Sequence, residues 1–111
     1  MNIDPQDAQA HREARLACMR RDYLESILDD LDQLKKELAS VETAESGYRR
    51  KVHSIRGSGG AYGFPDISLR AGEAEDAFLA GAGNDELVEH LEVLEGTVRQ
   101  AREEFLATFD G

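Results

Sequence analysis

The sequence has little proline and cysteine, no tryptophan and no long apolar run. It has two prolines, Pro5 and Pro65, and no tryptophan. Cys18 is the single cysteine, which excludes an intrachain disulfide and a zinc site built from several thiolates. No apolar run approaches the roughly 20 residues of a membrane span, and the first residues lack the pattern of a signal peptide. We therefore expect a helical, cytoplasmic protein with no membrane segment.

Basic residues are also scarce, with 13 Lys and Arg against 23 Asp and Glu and a formal net charge of -10. This charge opposes phosphate backbones and argues against nucleic acid as a partner. The exception is the window from Gly47 to Gly72, which carries a net charge of +4, so the rest of the chain carries -14. The window is either a binding surface or a solvated helix face, and charge alone does not decide between them.

Apolar spacing predicts a single all-α domain over residues 1–111, an antiparallel up-down four-helix bundle with an additional short N-terminal helix. That extra helix starts at Asp4-Pro5 and ends at about Met19. Asp22 then caps the first bundle helix, so the bundle itself covers about residues 22–109. We expect the domain to be a monomer.

Breakers place the remaining helices. The third predicted helix runs from near Thr43 to about Tyr62, and Pro65 lies in the first turn of the fourth. The glycines at 81 and 83 end that helix, and Asn84 caps the last one. The last helix has the most regular apolar stripe, formed by Leu87, Leu91, Leu94, Val98, Ala101 and Phe105.

A glycine-rich run follows His53, although an interior glycine costs a helix about 1 kcal/mol relative to alanine. At about 100° per residue, His53 lies roughly 140° from the centre of the apolar face and points to solvent. Gly57 and Gly60 continue its side of the helix, and Arg49 and Arg56 flank the ring. An exposed nucleophilic imidazole with open space and nearby cations suits reaction with an anion, above all a phosphoryl group.

Other chemistries lack the residues they need. No acid flanks His53 in the sequence to orient it as a general base. His11, His53 and His90 share no metal-ligand spacing, so no metal site is expected. The glycine run matches neither G-x-G-x-x-G nor G-x-x-x-x-G-K-[ST], and no strand precedes it, so no ATP site is expected.

The segment H-S-I-R-G-S-G-G-A-Y-G-F-P-D-I resembles the signature of histidine phosphotransfer (HPt) domains. That signature is histidine, any residue, an aliphatic, Lys or Arg, glycine, five residues, glycine, and an aliphatic about four further on. The matching positions are His53, Ile55, Arg56, Gly57, Gly63 and Ile67. Ala71, Ala74 and Glu75-Asp76 also fit the small and acidic residues that follow it in the family. Arg56 stands where lysine is usual, which keeps the charge but changes the phosphate geometry.

The resemblance implies a phosphorelay intermediate. His53 would accept a phosphoryl group, on Nε2, from the aspartyl phosphate of a response-regulator or hybrid-kinase receiver domain and pass it to another receiver. Arg56 would lie beside the phosphate with Arg49 in support, and Gly57 and Gly60 would leave room for the receiver. The residues expected to border the receiver are Arg50, Gly63, Phe64 and Ile67. Mg²⁺ would belong to the receiver, with no cofactor on this chain and no kinase activity of its own.

Two alternatives remain open. The chain could be a helical adaptor that binds a receiver or kinase without carrying phosphate. It could also be the phosphoryl-accepting domain of a larger hybrid or chemotaxis-type kinase. The initial methionine and the end of the chain soon after the last apolar stripe favour a stand-alone protein over this second alternative.

Overall fold

The structure is a computed structural model, and it describes residues 4–40 and 46–110. These residues form four helices and no strand. The helices are α1 (Pro5–Ser40), α2 (Tyr48–Ala61), α3 (Pro65–Leu79) and α4 (Asn84–Asp110). Helix α3 packs between α2 and α4, and α1 packs mainly against α4. None of the described helices is long and apolar enough to cross a membrane.

The predicted separate N-terminal helix does not exist, because α1 is one continuous helix of 36 residues. The sequence between Pro5 and Ser40 contains no glycine or proline, so nothing interrupts the backbone ladder. Asp22 lies inside the helix, where its carboxylate is 3.7 Å from Nε of Arg21. The N-terminal residues are helical as expected, but the break assigned to Asp22 was wrong.

The core is built from one apolar stripe on each helix, and that of the last helix agrees with the prediction. In α1 this stripe consists of the leucines and isoleucine from Leu24 to Leu38, and in α4 it consists of Leu87, Leu91, Leu94 and Val98. Helix α3 contributes Ile67, Ala71 and Ala74. Helix α2 contributes Tyr48, Val52 and Ile55, and the Tyr48 hydroxyl donates to the carbonyl of Ala74 at 3.2 Å. Since this stripe is buried, the opposite side of α2 faces solvent.

Two glycines end helices in the same way. Gly63 and Gly81 have φ of +92° and +86°, the left-handed region that favours glycine. After α2, the N–H of Phe64 donates to the carbonyl of Gly59 and the N–H of Gly63 to that of Gly60. This pair of hydrogen bonds is a Schellman motif, and the same pair follows α3 around Gly81. Gly63 therefore belongs to the turn that sets α3 against α2.

Helix α2 begins later than predicted. It starts at Tyr48, after Gly47 with φ of +77°, and Ser46 Oγ accepts a hydrogen bond from the N–H of Tyr48. The predicted start at Thr43 lies outside the described residues. The start of α3 at Pro65 agrees with the prediction, and α4 begins at Asn84 itself, whose side-chain amide donates to the carbonyl of Leu38.

Candidate functional site

His53 lies on the exposed side of α2, as predicted, with 68% of its side chain accessible. Its Nδ1 is 2.7 Å from Oε2 of Glu75 on α3. An ionised carboxylate only accepts hydrogen bonds, so Nδ1 carries the proton in this contact. In the neutral ring the lone pair is then on Nε2. Nδ1 of His53 is thus engaged by Glu75, and Nε2 is the ring nitrogen that can react.

Glu75 is the centre of the site, and sequence reasoning missed this role. Only 4% of its side chain is accessible, although it is charged. Its Oε1 accepts a hydrogen bond from Nη1 of Arg56 at 3.0 Å, and Nε of Arg49 lies 4.0 Å from Oε2. Burial would raise the pKa of Glu75, but the hydrogen bonds and charges of Arg56 and His53 outweigh burial and lower it. The carboxylate therefore remains ionised at neutral pH.

Arg56 is held against α3 rather than extended into solvent. Its side chain crosses Gly72, where a Cβ would lie 3.2 Å from the guanidinium Nε. Besides Glu75, its Nη1 lies 3.6 Å from the carboxylate of Asp76. Gly72 thus makes room for Arg56 to reach both acids. Arg56 is close to His53 as predicted, but its charge is shared with carboxylates of α3.

The glycines of the motif have different roles. A Cβ on Gly57 would meet nothing within 4 Å, which agrees with the predicted open surface. A Cβ on Gly60 would lie 3.6 Å from Oγ of Ser68. At Gly59 a Cβ would lie 2.7 Å from Ser68 Oγ and 2.8 Å from its backbone nitrogen, so this glycine permits close contact between α2 and α3. Only part of the glycine cluster serves access to His53.

Ser68 makes two hydrogen bonds to the backbone of α2 at this close contact. Its hydroxyl donates to the carbonyl of Arg56 and accepts from the N–H of Gly60, both at 2.7 Å. These two groups are four residues apart and would bond each other in a regular helix. The Ser68 side chain thus bridges two backbone groups of α2 one turn after His53. These two hydrogen bonds join α2 to α3 beside the site.

Aromatic residues hold α1 against the C-terminal end of α2. The ring of Tyr23 stacks on Tyr62 with centroids 4.1 Å apart, and its hydroxyl is 2.6 Å from Oγ of Ser58. Burial raises the pKa of Tyr23, and the Ser58 hydrogen bond only partly offsets it. The ring of Phe64 lies 6.3 Å from Tyr23 in the same stack. These contacts fix the end of the helix that carries His53.

The residues predicted to border a partner do not form one exposed patch. Arg50 is exposed on the same side of α2 as His53. Ile67 is fully buried in the core, so its assignment to a partner contact was wrong. Phe64 is half-buried in the aromatic stack, and Gly63 forms the turn beneath the guanidinium of Arg20. Ile67 lies on the apolar stripe of α3, and that stripe faces α2 and α4 rather than solvent.

The missed residues left weak signals in the sequence. Ala71, Glu75 and Phe78 are spaced by four and three residues, which puts a carboxylate at the edge of the buried stripe of α3. A charged residue at such a position indicates a buried partner, but it does not say which one. Nothing in the sequence marked Gly72 or Ser68. Among the described residues, no group of His, Cys, Asp and Glu could hold a metal ion.

Comparison with known proteins gives one match. The family model described as the Hpt domain matches residues 19–104, more than half of the chain. Neither the curated proteins nor the solved structures show a significant match. The matched range includes His53, Arg56 and Glu75, and it leaves out the first turns of α1.

Proposed function

Since the chain belongs to the Hpt domain family, we propose that His53 accepts a phosphoryl group from a receiver aspartate and passes it to another receiver. Hpt domains are phosphotransfer carriers of phosphorelays; they interact with receiver domains and have no kinase activity of their own. The observation that carries the assignment is the contact of His53 Nδ1 with the buried carboxylate of Glu75, which leaves Nε2 exposed as the nucleophile.

The reaction is a displacement at phosphorus. The Nε2 lone pair attacks the phosphorus of the aspartyl phosphate, the P–O bond to the aspartate breaks, and the aspartate leaves as a carboxylate. Nδ1 keeps its proton, so the phosphorylated ring is cationic. The negative charge of Glu75 stabilises that cation, much as a buried acid stabilises an imidazolium in other nucleophilic sites. Return of the phosphoryl group to a second receiver is the reverse of this step.

Glu75 acts as a positioning residue, and Arg56 and His53 keep its carboxylate ionised although that side chain is almost fully buried, with Arg49 at 4.0 Å in support. We retain Gly57 and Gly60 as the open approach to the ring, which the empty space around Gly57 supports. The divalent metal would be Mg²⁺ held by the receiver, and this chain would bind neither a cofactor nor ATP.

We also propose that residues 1–111 form one domain, a cytoplasmic monomer, with its four helices in up-down order. Contacts between neighbouring helices support that order. Tyr48 meets Ala74 while Gly59 meets Ser68, so α2 and α3 run in opposite directions. Tyr23 near Ser58 and Asp30 near Lys51 imply the same for α1 and α2.

The test compares wild type with His53→Gln in a transfer assay with a phosphorylated receiver and Mg²⁺. We expect acid-labile, alkali-stable label on wild type and none on His53→Gln. His11→Gln removes an exposed histidine of α1 and serves as the matched control, which should label like wild type. Label on His53→Gln would refute the assignment. Binding of receivers without any label on wild type would instead support the adaptor.

A further inference from the structure

Folding neutralises most of the basic window that runs from Gly47 to Gly72. Arg49 and Arg56 lie against the carboxylate of Glu75, and Arg56 also lies near Asp76. The other ion pairs join Lys51 to Asp30 at 3.5 Å and Arg70 to Glu73 at 2.9 Å. All four acids come from outside the window. The strong positive charge of the linear sequence is therefore largely cancelled in the folded protein.

Arg50 is different from these cations. Within residues 4–40 and 46–110, no carboxylate lies at ion-pair distance from its guanidinium, although the side chain is exposed. It lines a groove between α1 and α2 together with Asp30, Glu37 and Ser54. Asp30 is engaged by Lys51. Oε1 of Glu37 accepts a hydrogen bond from Gln33, whereas its buried Oε2 has no hydrogen-bond partner among the described residues, and no ion pair joins Glu37 to Arg50. The charge of Arg50 thus remains available to a partner.

The position of Arg50 suits contact with the reacting group. It precedes His53 by three residues, one helical turn, and the two side chains are about 60° apart around α2. Both lie on the solvent side, whereas Arg56 turns toward α3 and Glu75. A receiver that brings its phosphoryl group to Nε2 of His53 would therefore pass beside Arg50.

An approaching phosphoryl group is an anion, and this chain is strongly acidic, so approach is opposed unless a local cation compensates. The attraction of Arg49 and Arg56 for this anion is small, because the carboxylates of Glu75 and Asp76 cancel their charge. We propose that Arg50, rather than Arg56, is the cation that meets the phosphorylated acidic site of the receiver. This inference rests on the proposed function and assigns its docking charge to one residue.

The experiment measures the second-order rate constant of transfer from a phosphorylated receiver domain with Mg²⁺, at low and high salt. The variants are Arg50→Ala, Arg50→Lys and Arg50→Glu, with Lys51→Ala as the control. Lys51 has the same charge at the next position, but it is paired with Asp30. Labelling by phosphoramidate, a small phosphoryl donor, reports whether His53 remains reactive in each variant.

We expect Arg50→Ala to lower the rate constant roughly threefold to fivefold at low salt, and Arg50→Glu to lower it roughly tenfold. The maximal rate at saturating receiver should change little, since a charge at the rim acts on association. Arg50→Lys should restore most of the loss, and the differences should shrink at high salt.

Two results would overturn the inference. One is a rate constant for Arg50→Ala equal to that of wild type. The other is an equal loss in Lys51→Ala, because net charge rather than Arg50 would then set the rate. A third outcome would refute the proposed function itself: wild type is labelled by phosphoramidate but by no receiver. It differs from the two results above, in which wild type accepts label from a receiver.

Discussion

Replacing Glu75 by glutamine tests the site most directly, because it removes one charge and almost no volume. In the folded protein the carboxylate accepts from Nδ1 of His53 at 2.7 Å and from Nη1 of Arg56 at 3.0 Å. An amide has one accepting oxygen and one donating nitrogen. If the oxygen stays with Arg56, the amide NH₂ faces Nδ1. This arrangement favours the tautomer with its proton on Nε2, which has no lone pair there to attack phosphorus.

The size of the effect follows from the hydrogen bond that is lost. A hydrogen bond to a charged group contributes about 1.5–3 kcal/mol. His53 is 68% accessible, so water competes and the lower end of that range applies. Since about 1.4 kcal/mol is a factor of ten in rate, we expect Glu75→Gln to be phosphorylated roughly tenfold more slowly than wild type.

The assay follows phosphorylation of His53 by phosphoramidate and by a receiver, alongside proton–nitrogen NMR spectra of the ring. Both donors should slow alike, because the defect lies in the nucleophile, and the spectra should show more of the Nε2–H tautomer. Asp76→Asn is the matched control, since this exposed acid lies 3.6 Å from Arg56 and has no hydrogen bond to His53. Wild-type rates and an unchanged tautomer in Glu75→Gln would refute the reasoning.

Two further predictions concern stability. Gly59→Ala should lower the free energy of unfolding by about 2 kcal/mol in urea titrations, because the new Cβ lies 2.7 Å from Ser68 Oγ. Gly57→Ala should raise the free energy of unfolding by up to about 1 kcal/mol, because its new Cβ meets nothing within 4 Å. Equal effects at both sites would contradict the packing role of Gly59. The hydrogen bond from Lys35, partly offset by burial, lowers the pKa of Glu95 below its ordinary 4.5. Wild type should therefore be about 1 kcal/mol more stable than Glu95→Gln at pH 7, and this difference should vanish as pH falls below 4.5 through the lower folded pKa. A difference that stays constant from pH 7 to pH 3 would show that the ion pair does not cause it.

Local patterns were enough to predict much of the fold. The stripes of α1 and α4 repeat at spacings of three and four, and their residues from Leu24 to Leu38 and from Leu87 to Val98 are buried because one face of each helix must leave water. Pro65 marked the start of α3, because proline is tolerated in the first turn of a helix but not in its interior. Gly81 marked the end of α3, because glycine readily adopts the left-handed region. The predicted break at Asp22 was wrong, because an aspartate can cap a helix but does not interrupt one. A helix continues through aspartate when no glycine or proline stops it.

The sequence alone also determined that His53 is exposed and which glycines accompany it, since position around one helix depends only on spacing. Tertiary structure decided the electrostatics of the site. Glu75 lies 22 residues beyond His53 in the chain, and only the packing of α3 against α2 brings its carboxylate to Nδ1. The same packing supplies two of the four acids that neutralise the basic window, Glu75 and Asp76, and α1 supplies a third, Asp30, so charge counted along the chain overstates the charge in space. Coulomb interactions depend on distances in three dimensions, and residue spacing within one helix does not give the distances between helices.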